Sequence, residues 1–197
     1  GTLTFYPGND PGAAPVTEAV ASGLALDLLK HHTTGLGTAG RCSREDLEQL
    51  YSKRLETIDR LIDKCVENSL LLRIDKNNTV LAHDILAPVV IQEFNISEYP
   101  GQKAMRVLAN RGHDWRDGKS GELLDQQDIA VLEDGAQGRR DLNEDETRML
   151  AASQKAQQQS LRQMQRLMVA GIVLITLVFY FLFQMDLFDK LDSAVKN

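Results

Sequence analysis

Apolar residues recur at three- and four-residue spacing in three segments of the first half of the chain. In the first segment Val20, Leu24 and Leu28 share one face of a helix, because side chains at that spacing lie above one another. Ser43, followed three positions later by Asp46, resembles a capping box that opens a second helix. The pattern therefore predicts three helices, over residues 17–32, 43–51 and 53–67.

A different pattern follows these helices. Two short apolar runs, 70–75 and 79–82, flank the polar tetrapeptide DKNN and predict a β-hairpin with a polar tip. A fourth helix is predicted over 84–94, with Pro88 in its first turn, where a missing N–H costs little. Three helices followed by a hairpin is the order of a winged helix, so we expect that fold over residues 17–94. An unrelated small α+β domain would give the same pattern.

The flanking segments differ from this domain in composition. Residues 1–16 hold three of the five prolines and are predicted to be a linker. Residues 95–142 contain two helical stretches separated by glycines, which predict a helical connector. Asn143 and Glu146 then form a second capping-box pattern, and no helix breaker follows for many turns. The stretch 151–165 is rich in Gln, Ala and Ser, so residues 143–166 are predicted to form a solvated stalk helix that could pair with its neighbours.

The stalk leads into an uncharged segment of nineteen residues, LMVAGIVLITLVFYFLFQM, over 167–185. At 1.5 Å per residue such a helix is roughly 28 Å long, about the thickness of the hydrocarbon core of a bilayer. We therefore predict a transmembrane helix followed by a short tail, 186–197. The alternative is a buried core helix, although globular helices seldom stay apolar on every side for five turns.

The charges beside this span predict its orientation. Three basic residues precede the span and two follow it: Lys155, Arg162 and Arg166 before, Lys190 and Lys196 after. By the positive-inside rule, the large N-terminal part is expected in the cytoplasm and the tail outside.

The charge balance argues against nucleic acid as a partner. The net charge is −6, and the predicted third helix, the candidate recognition helix of a winged helix, carries four basic and four acidic residues. DNA binding needs a basic surplus to neutralise phosphates. The two cysteines, Cys42 and Cys65, show no metal-ligand or disulfide spacing and are expected to be reduced thiols, so no metal site is predicted.

The stretch GLGTAGRCS, residues 35–43, has the glycine spacing of a phosphate-binding loop. Arg41 and Cys42 stand where that motif has lysine and a hydroxyl, and the stretch follows a predicted helix rather than a strand. We therefore interpret it as a connection between two helices. His31 and His32 are read as cationic residues that suit a helix end. With no Walker A, Walker B or completed catalytic cluster, the chain is not expected to be an enzyme by itself.

The hairpin ends in Leu81-Ala82-His83-Asp84, and here a family resemblance appears. A histidine–aspartate pair at the end of a winged-helix pattern resembles the Met-His-Asp motif of STAND-class signalling ATPases, which include the NLR immune receptors and their bacterial relatives. Only the apolar first residue departs from that motif. The resemblance implies that His83 contacts the β-phosphate of bound ADP. From the residues alone, His83 could equally be a capping or core histidine, and Asp84 is most simply a helix N-cap.

The connector extends the resemblance to residues 17–166. Pro100-Gly101-Gln102, Asp114-Trp115 and the run 124–131 are similar to the helical connector that follows this winged helix in bacterial STAND proteins. In those proteins a transmembrane helix or a β-propeller sensor often comes next.

The resemblance implies a role for the chain. It would be the regulatory and membrane-anchoring C-terminal part of a bacterial, defence-related STAND ATPase, located in the inner membrane. ADP or ATP would be held mainly by an upstream nucleotide-binding domain of the same protein, and activation would produce a homo-oligomer. The transmembrane helix would then be either an anchor or a membrane-acting effector. The alternative function is a membrane-tethered winged-helix transcription regulator.

Overall fold

The computed structural model describes the backbone of residues 13–195 and the side chains of residues 16–181. Within this part the chain is mostly helical, with a small three-stranded antiparallel sheet and one long apolar helix. The helices are α1 (Ala13–Ser22), α2 (Leu24–His31), α3 (Arg44–Leu50), α4 (Leu55–Glu67), α5 (Leu86–Ile96), α6 (Pro100–Arg111), α7 (Gln126–Asp134) and α8 (Glu144–Val195). Two 3₁₀ turns cover Gly112–Gly118 and Gly135–Gly138, and the strands are β1 (Cys42–Ser43), β2 (Leu71–Arg73) and β3 (Asn78–Leu81).

The first predicted helix is two helices in the structure, which corrects the single helix expected over 17–32. Gly23 separates α1 from α2 with φ +93°, a conformation that favours glycine. The Gln102 side chain occupies the space beside it and donates from Nε2 to the Gly23 carbonyl at 3.0 Å. Residues 13–16, within the predicted linker, belong to α1, while residues 1–12 lie outside the described part.

Both capping boxes predicted from the sequence are confirmed. Ser43 Oγ accepts from the Asp46 amide and the Ser43 amide donates to Asp46 Oδ2, each at 3.1 Å. At the start of α8, the Asn143 amide donates to Glu146 Oε2 at 3.0 Å, and Asn143 Oδ1 accepts from the Glu146 amide at 2.8 Å. These reciprocal bonds satisfy amides that the first turn of a helix leaves unpaired.

The hairpin of β2 and β3 forms as predicted, with Leu72 opposite Val80. Sequence reasoning missed β1, which pairs with β3 through Cys42 opposite Thr79 and makes the strand order β1-β3-β2. A two-residue strand is too short to show alternation. Under this sheet, the fully buried His32 places Nε2 2.8 Å from Thr79 Oγ1 and Nδ1 2.9 Å from the Leu28 carbonyl.

Two apolar cores lie in one compact unit that ends at Ser153. The first core is formed by α1 to α5 and the sheet. The second is formed by α6, α7 and the start of α8, and it includes Ala104, Leu108, Trp115, Leu124, Ile129, Leu132 and Met149. Between them, glycines allow backbones to touch: a Cβ on Gly138 would lie 1.8 Å from the Ser22 carbonyl oxygen, and one on Gly101 would lie 1.9 Å from the Gly138 carbonyl oxygen.

A second unit begins at Gln154, within α8. Its helix is long and apolar enough to cross a membrane, and its apolar side chains are exposed as far as Phe181. A buried core helix, the alternative considered above, does not fit these described residues. Thr176, a polar residue of the span, donates its hydroxyl to the Ile172 carbonyl at 2.8 Å. The side chains after Phe181, including the end of the predicted span, lie outside the described part.

We expect Gly138→Ala to destabilise the first unit by roughly 1–3 kcal/mol, because the added methyl group must displace backbone atoms of Ser22. Chemical denaturation of the chain in detergent measures this difference. Gly35→Ala is the matched control, because nothing lies within 4 Å of the Cβ it would add. Equal stability of the two variants would show that the backbones do not meet at Gly138.

Candidate functional site

His83 lies in the short connection between β3 and α5. Its side chain is exposed and makes no hydrogen bond to any residue the structure describes. Its backbone carbonyl accepts from the Leu86 amide at 3.0 Å, which fixes the turn into α5. His83 is therefore neither a core nor a capping histidine in this structure, and its imidazole is open to a partner outside the chain.

Asp84 does not cap the fourth helix, so that interpretation is wrong. The helix begins at Leu86, and the residue before it, Ile85, makes no side-chain capping bond. Instead, Asp84 Oδ1 accepts from the backbone amide of Ala39 at 3.1 Å. This bond joins the turn that carries His83 to the glycine-rich loop, two segments that are 45 residues apart.

The glycine-rich loop, residues 33–40, uses its own amides. Thr33 and Ala39 pair as a β-bridge, and Thr34 Oγ1 accepts from two amides of the loop at 3.3 Å. Six backbone amides of the loop donate hydrogen bonds to acceptors within the chain: those of Thr34, Leu36, Gly37, Thr38, Ala39 and Gly40. A phosphate-binding loop needs such amides free to surround the phosphates. This geometry gives a physical reason for reading the loop as a connection.

Apolar side chains are exposed on the same two segments. Leu36, at the tip of the loop, is 94% exposed. Ile85 and Val89, four positions apart at the start of α5, are 77% and 56% exposed. The His83 turn and the loop bonded to it therefore both carry exposed apolar side chains.

A buried polar cluster lies elsewhere in the first unit, and sequence reasoning missed it. Asp27, on α2, is 1% exposed and its Oδ2 accepts from the Tyr51 hydroxyl at 2.9 Å, while Oδ1 has no hydrogen-bond partner. Burial raises the pKa of Asp27 to about 6, although the hydrogen bond from Tyr51 and the nearby positive charge of Arg140 act in the opposite direction. The sequence does contain a sign of this cluster: Asp27 is an acidic residue that lies three positions after Leu24, on the apolar face of its helix.

Arg140 extends this cluster to the first turn of α8. Its guanidinium forms a two-pronged ion pair with Glu146, with distances of 2.8 Å from Nη1 to Oε2 and 2.7 Å from Nη2 to Oε1. Burial favours the protonated form of Glu146, but the hydrogen bonds from Arg140 and the Asn143 amide outweigh it and lower the Glu146 pKa. Paired bonds of this kind fix orientation as well as distance.

The turn between α3 and α4 is tied to the same segment. Arg54 donates to the carbonyls of Ala136, Gln137 and Arg139, its contact with Ala136 being 3.2 Å. Ser52 Oγ donates to Asp141 Oδ2, and the Asp141 amide donates to the Leu50 carbonyl, each at 2.7 Å. The residues just before α8 are therefore bonded directly to the predicted winged helix.

His32 is buried and His31 is half-buried, so their interpretation as cationic helix-end residues is wrong. Burial, together with the smaller effect of the Arg140 charge, lowers the pKa of His31 to about 4. Burial also lowers the pKa of His32, against the opposing effect of the Leu28 carbonyl. Both side chains are neutral at pH 7. The His31 ring instead stands edge-on to Tyr51, with ring centroids 6.0 Å apart.

The described side chains, 16–181, include no group of three or more His, Cys, Asp or Glu residues placed to hold a metal ion. Burial raises the pKa of the Cys42 thiol to about 11 and that of Cys65 to about 12, so both are protonated at neutral pH. A protonated thiol is a poor nucleophile.

No protein-family model matches the chain. No curated protein and no solved structure matches it either. Among the described residues, His83 and the Asp27–Arg140–Glu146 cluster are the features that carry chemistry.

We expect the Asp27 carboxyl to make the folded state less stable as the pH rises from about 4 to about 6. In that interval the folded chain holds a proton that the unfolded chain has released, since the folded pKa is the higher one. Below it the carboxyl is protonated in both states. Relative to the Asp27→Asn variant, the unaltered chain should lose about 3 kcal/mol across the interval.

Denaturation midpoints of both chains, measured in detergent from pH 3 to pH 8, test this expectation. Asp134→Asn is the control for the chemical change, because Asp134 is exposed. Parallel pH profiles for the unaltered chain and the Asp27→Asn variant would contradict the raised pKa.

Proposed function

We propose that this chain is the regulatory and membrane-anchoring C-terminal part of a nucleotide-switched STAND signalling protein, whose winged helix senses bound ADP. The observation that carries the proposal is the state of His83. Its imidazole is exposed and unbonded within the described chain, while its neighbour Asp84 is held by the Ala39 amide. The turn is fixed and the imidazole is available, as a sensor of an external ligand requires.

The arrangement of the elements supports a winged helix as the sensor domain. The chain forms α1 and α2, then β1, α3, α4 and the β2–β3 hairpin. β1 is added to the outer side of the hairpin in the order β1-β3-β2. A hairpin wing beside a short strand, after helices of which α1 and α2 together take the place of the single first helix predicted, is compatible with that fold.

A histidine can couple this domain to the nucleotide state of its parent protein. A neutral imidazole can donate one N–H to a phosphate oxygen of ADP. The remaining phosphate contacts would come from a nucleotide-binding domain upstream in the same protein. The contact would exist in the closed arrangement and be lost when the winged helix moves away. Such a differential contact is what allows a ligand to shift a two-state equilibrium.

The buried cluster supplies a path from the sensor domain to α8. Arg54 and Asp141 bind the α3–α4 turn to residues 136–141, and Arg140 binds the first turn of α8 through Glu146. A displacement of the winged helix would therefore strain the bonds at the base of α8. We propose that α8 anchors the protein in the inner membrane of a bacterium, with the N-terminal part in the cytoplasm, and that activation produces a homo-oligomer in a defence response.

The transcription-regulator alternative receives little support from α4. Arg60 pairs with Glu56 at 2.5 Å, and Lys64 pairs with Glu67 at 2.8 Å. Arg54, at the start of the helix, is turned onto the carbonyls of the 136–139 segment. A helix whose cations are engaged in this way offers few contacts to phosphates.

We expect His83→Ala to make ADP dissociate roughly 10- to 100-fold faster from the longer protein that contains the proposed nucleotide-binding domain, because a hydrogen bond to a charged group is lost. Release of a fluorescent ADP analogue measures the rate. His113→Ala is the matched control, because His113 is also an exposed histidine, in contact with Asp114. Unchanged release from the His83→Ala protein would contradict the sensor role.

We expect the full chain in detergent to show no salt-sensitive binding to duplex DNA, because the chain carries a net charge of −6. A gel-shift titration at low and high salt measures it. Submicromolar binding that weakens steeply with salt would favour the transcription regulator over the STAND proposal.

A further inference from the structure

The stalk part of α8 carries two large apolar side chains with no described partner. Leu161 and Met164 are 55% and 58% exposed, and their neighbours from residue 154 to residue 166 are glutamine, serine, alanine or basic residues. Exposing two large apolar groups in a polar helix is unfavourable unless something covers them. Their spacing of three residues puts them on one face of the helix.

The same face continues into the apolar span. Steps of three and four residues connect Leu161, Met164, Met168, Gly171, Ile175 and Val178, a set named the seam below. Alternating steps of this kind are the repeat along which two helices pack side by side. Met168, Ile175 and Val178 are each at least half exposed in the chain.

The charges of the stalk lie away from the seam. Lys155, Arg162 and Arg166 fall on the opposite face in the seven-residue repeat, and no acidic residue occurs between Glu146 and Asp186. The positions that flank the seam in the stalk are uncharged: Gln158, Ser160 and Gln165. Two identical helices can therefore meet along the seam without bringing like charges together, which would oppose pairing.

We propose that the seam binds a second copy of this chain, side by side and in parallel. A copy anchored by the same span enters the membrane in the same direction, so its Leu161 and Met164 lie at the same depth. A self-complementary surface of this kind is the usual basis of a two-fold homodimer. The inference rests on the membrane anchoring in the proposed function and is independent of nucleotide sensing by His83.

Disulfide cross-linking of the full chain in its membrane tests the inference. Single cysteines replace Leu161 or Met164 in the seam, and Gln159 or Arg162 on the opposite face. A disulfide forms only when the two Cβ atoms come within about 3.5–4.5 Å, so it reports a close approach. The native Cys42 and Cys65 are buried, and the unsubstituted chain measures their background.

We expect oxidation to cross-link Leu161→Cys and Met164→Cys several-fold more than Gln159→Cys and Arg162→Cys. Equal cross-linking at all four positions would indicate random collision and overturn the inference, as would cross-linking that favours the opposite face. Absence of dimer above background would overturn it too. Extraction of the chain by alkaline carbonate would overturn both the anchoring and the inference, whereas retention in the membrane without cross-links would overturn only the inference.

Discussion

The backbone approach between Gly138, Gly101 and the end of α1 is the constraint on which the first unit depends. The carbonyl oxygen of Ser22 occupies the place where any side chain at 138 would begin. This contact holds the connector against the break between α1 and α2, where Gln102 bonds the Gly23 carbonyl. The Asp27 cluster and the bonds from Arg54 to the 136–139 carbonyls require the same approach. Packing at this density leaves little room for gradual adjustment, so the connector and the helices move together or separate.

The sequence predicts the local features of this fold well and the long-range ones poorly. Both capping boxes, the hairpin and the long helix follow from residues within a few positions of one another, such as Asn143 and Glu146. The break at Gly23 depends on Gln102, 79 residues later, and β1 depends on β3 across the sheet. Periodicity carries no information about such partners. For the same reason the sequence identifies His83 as a candidate but does not reveal the Ala39 bond that makes Asp84 part of the loop.

The buried charges give this small unit specificity more than stability. Asp27 has one carboxyl oxygen without a partner, and burying it opposes ionisation. Apolar residues of similar size often stabilise a core better than buried ionic groups do. The cluster instead restricts how the α3–α4 turn, residues 136–141 and the start of α8 fit together, because each bond has a defined direction. In the proposed switch this restriction matters, since a signal from the winged helix needs one defined arrangement at the base of α8.

The hydroxyl of Thr176 has a consequence for how the span is solvated. It donates to the carbonyl four residues earlier, so this polar group is satisfied within its own helix. Polar groups in lipid that lack a partner drive helices together, and the bonded Thr176 hydroxyl adds no such driving force. In the proposed membrane anchor, the Thr176 hydroxyl therefore does not oppose a single copy in the bilayer. In the proposed dimer, association would then depend on the weaker apolar contacts of the seam, which suits a signal that has to be reversible.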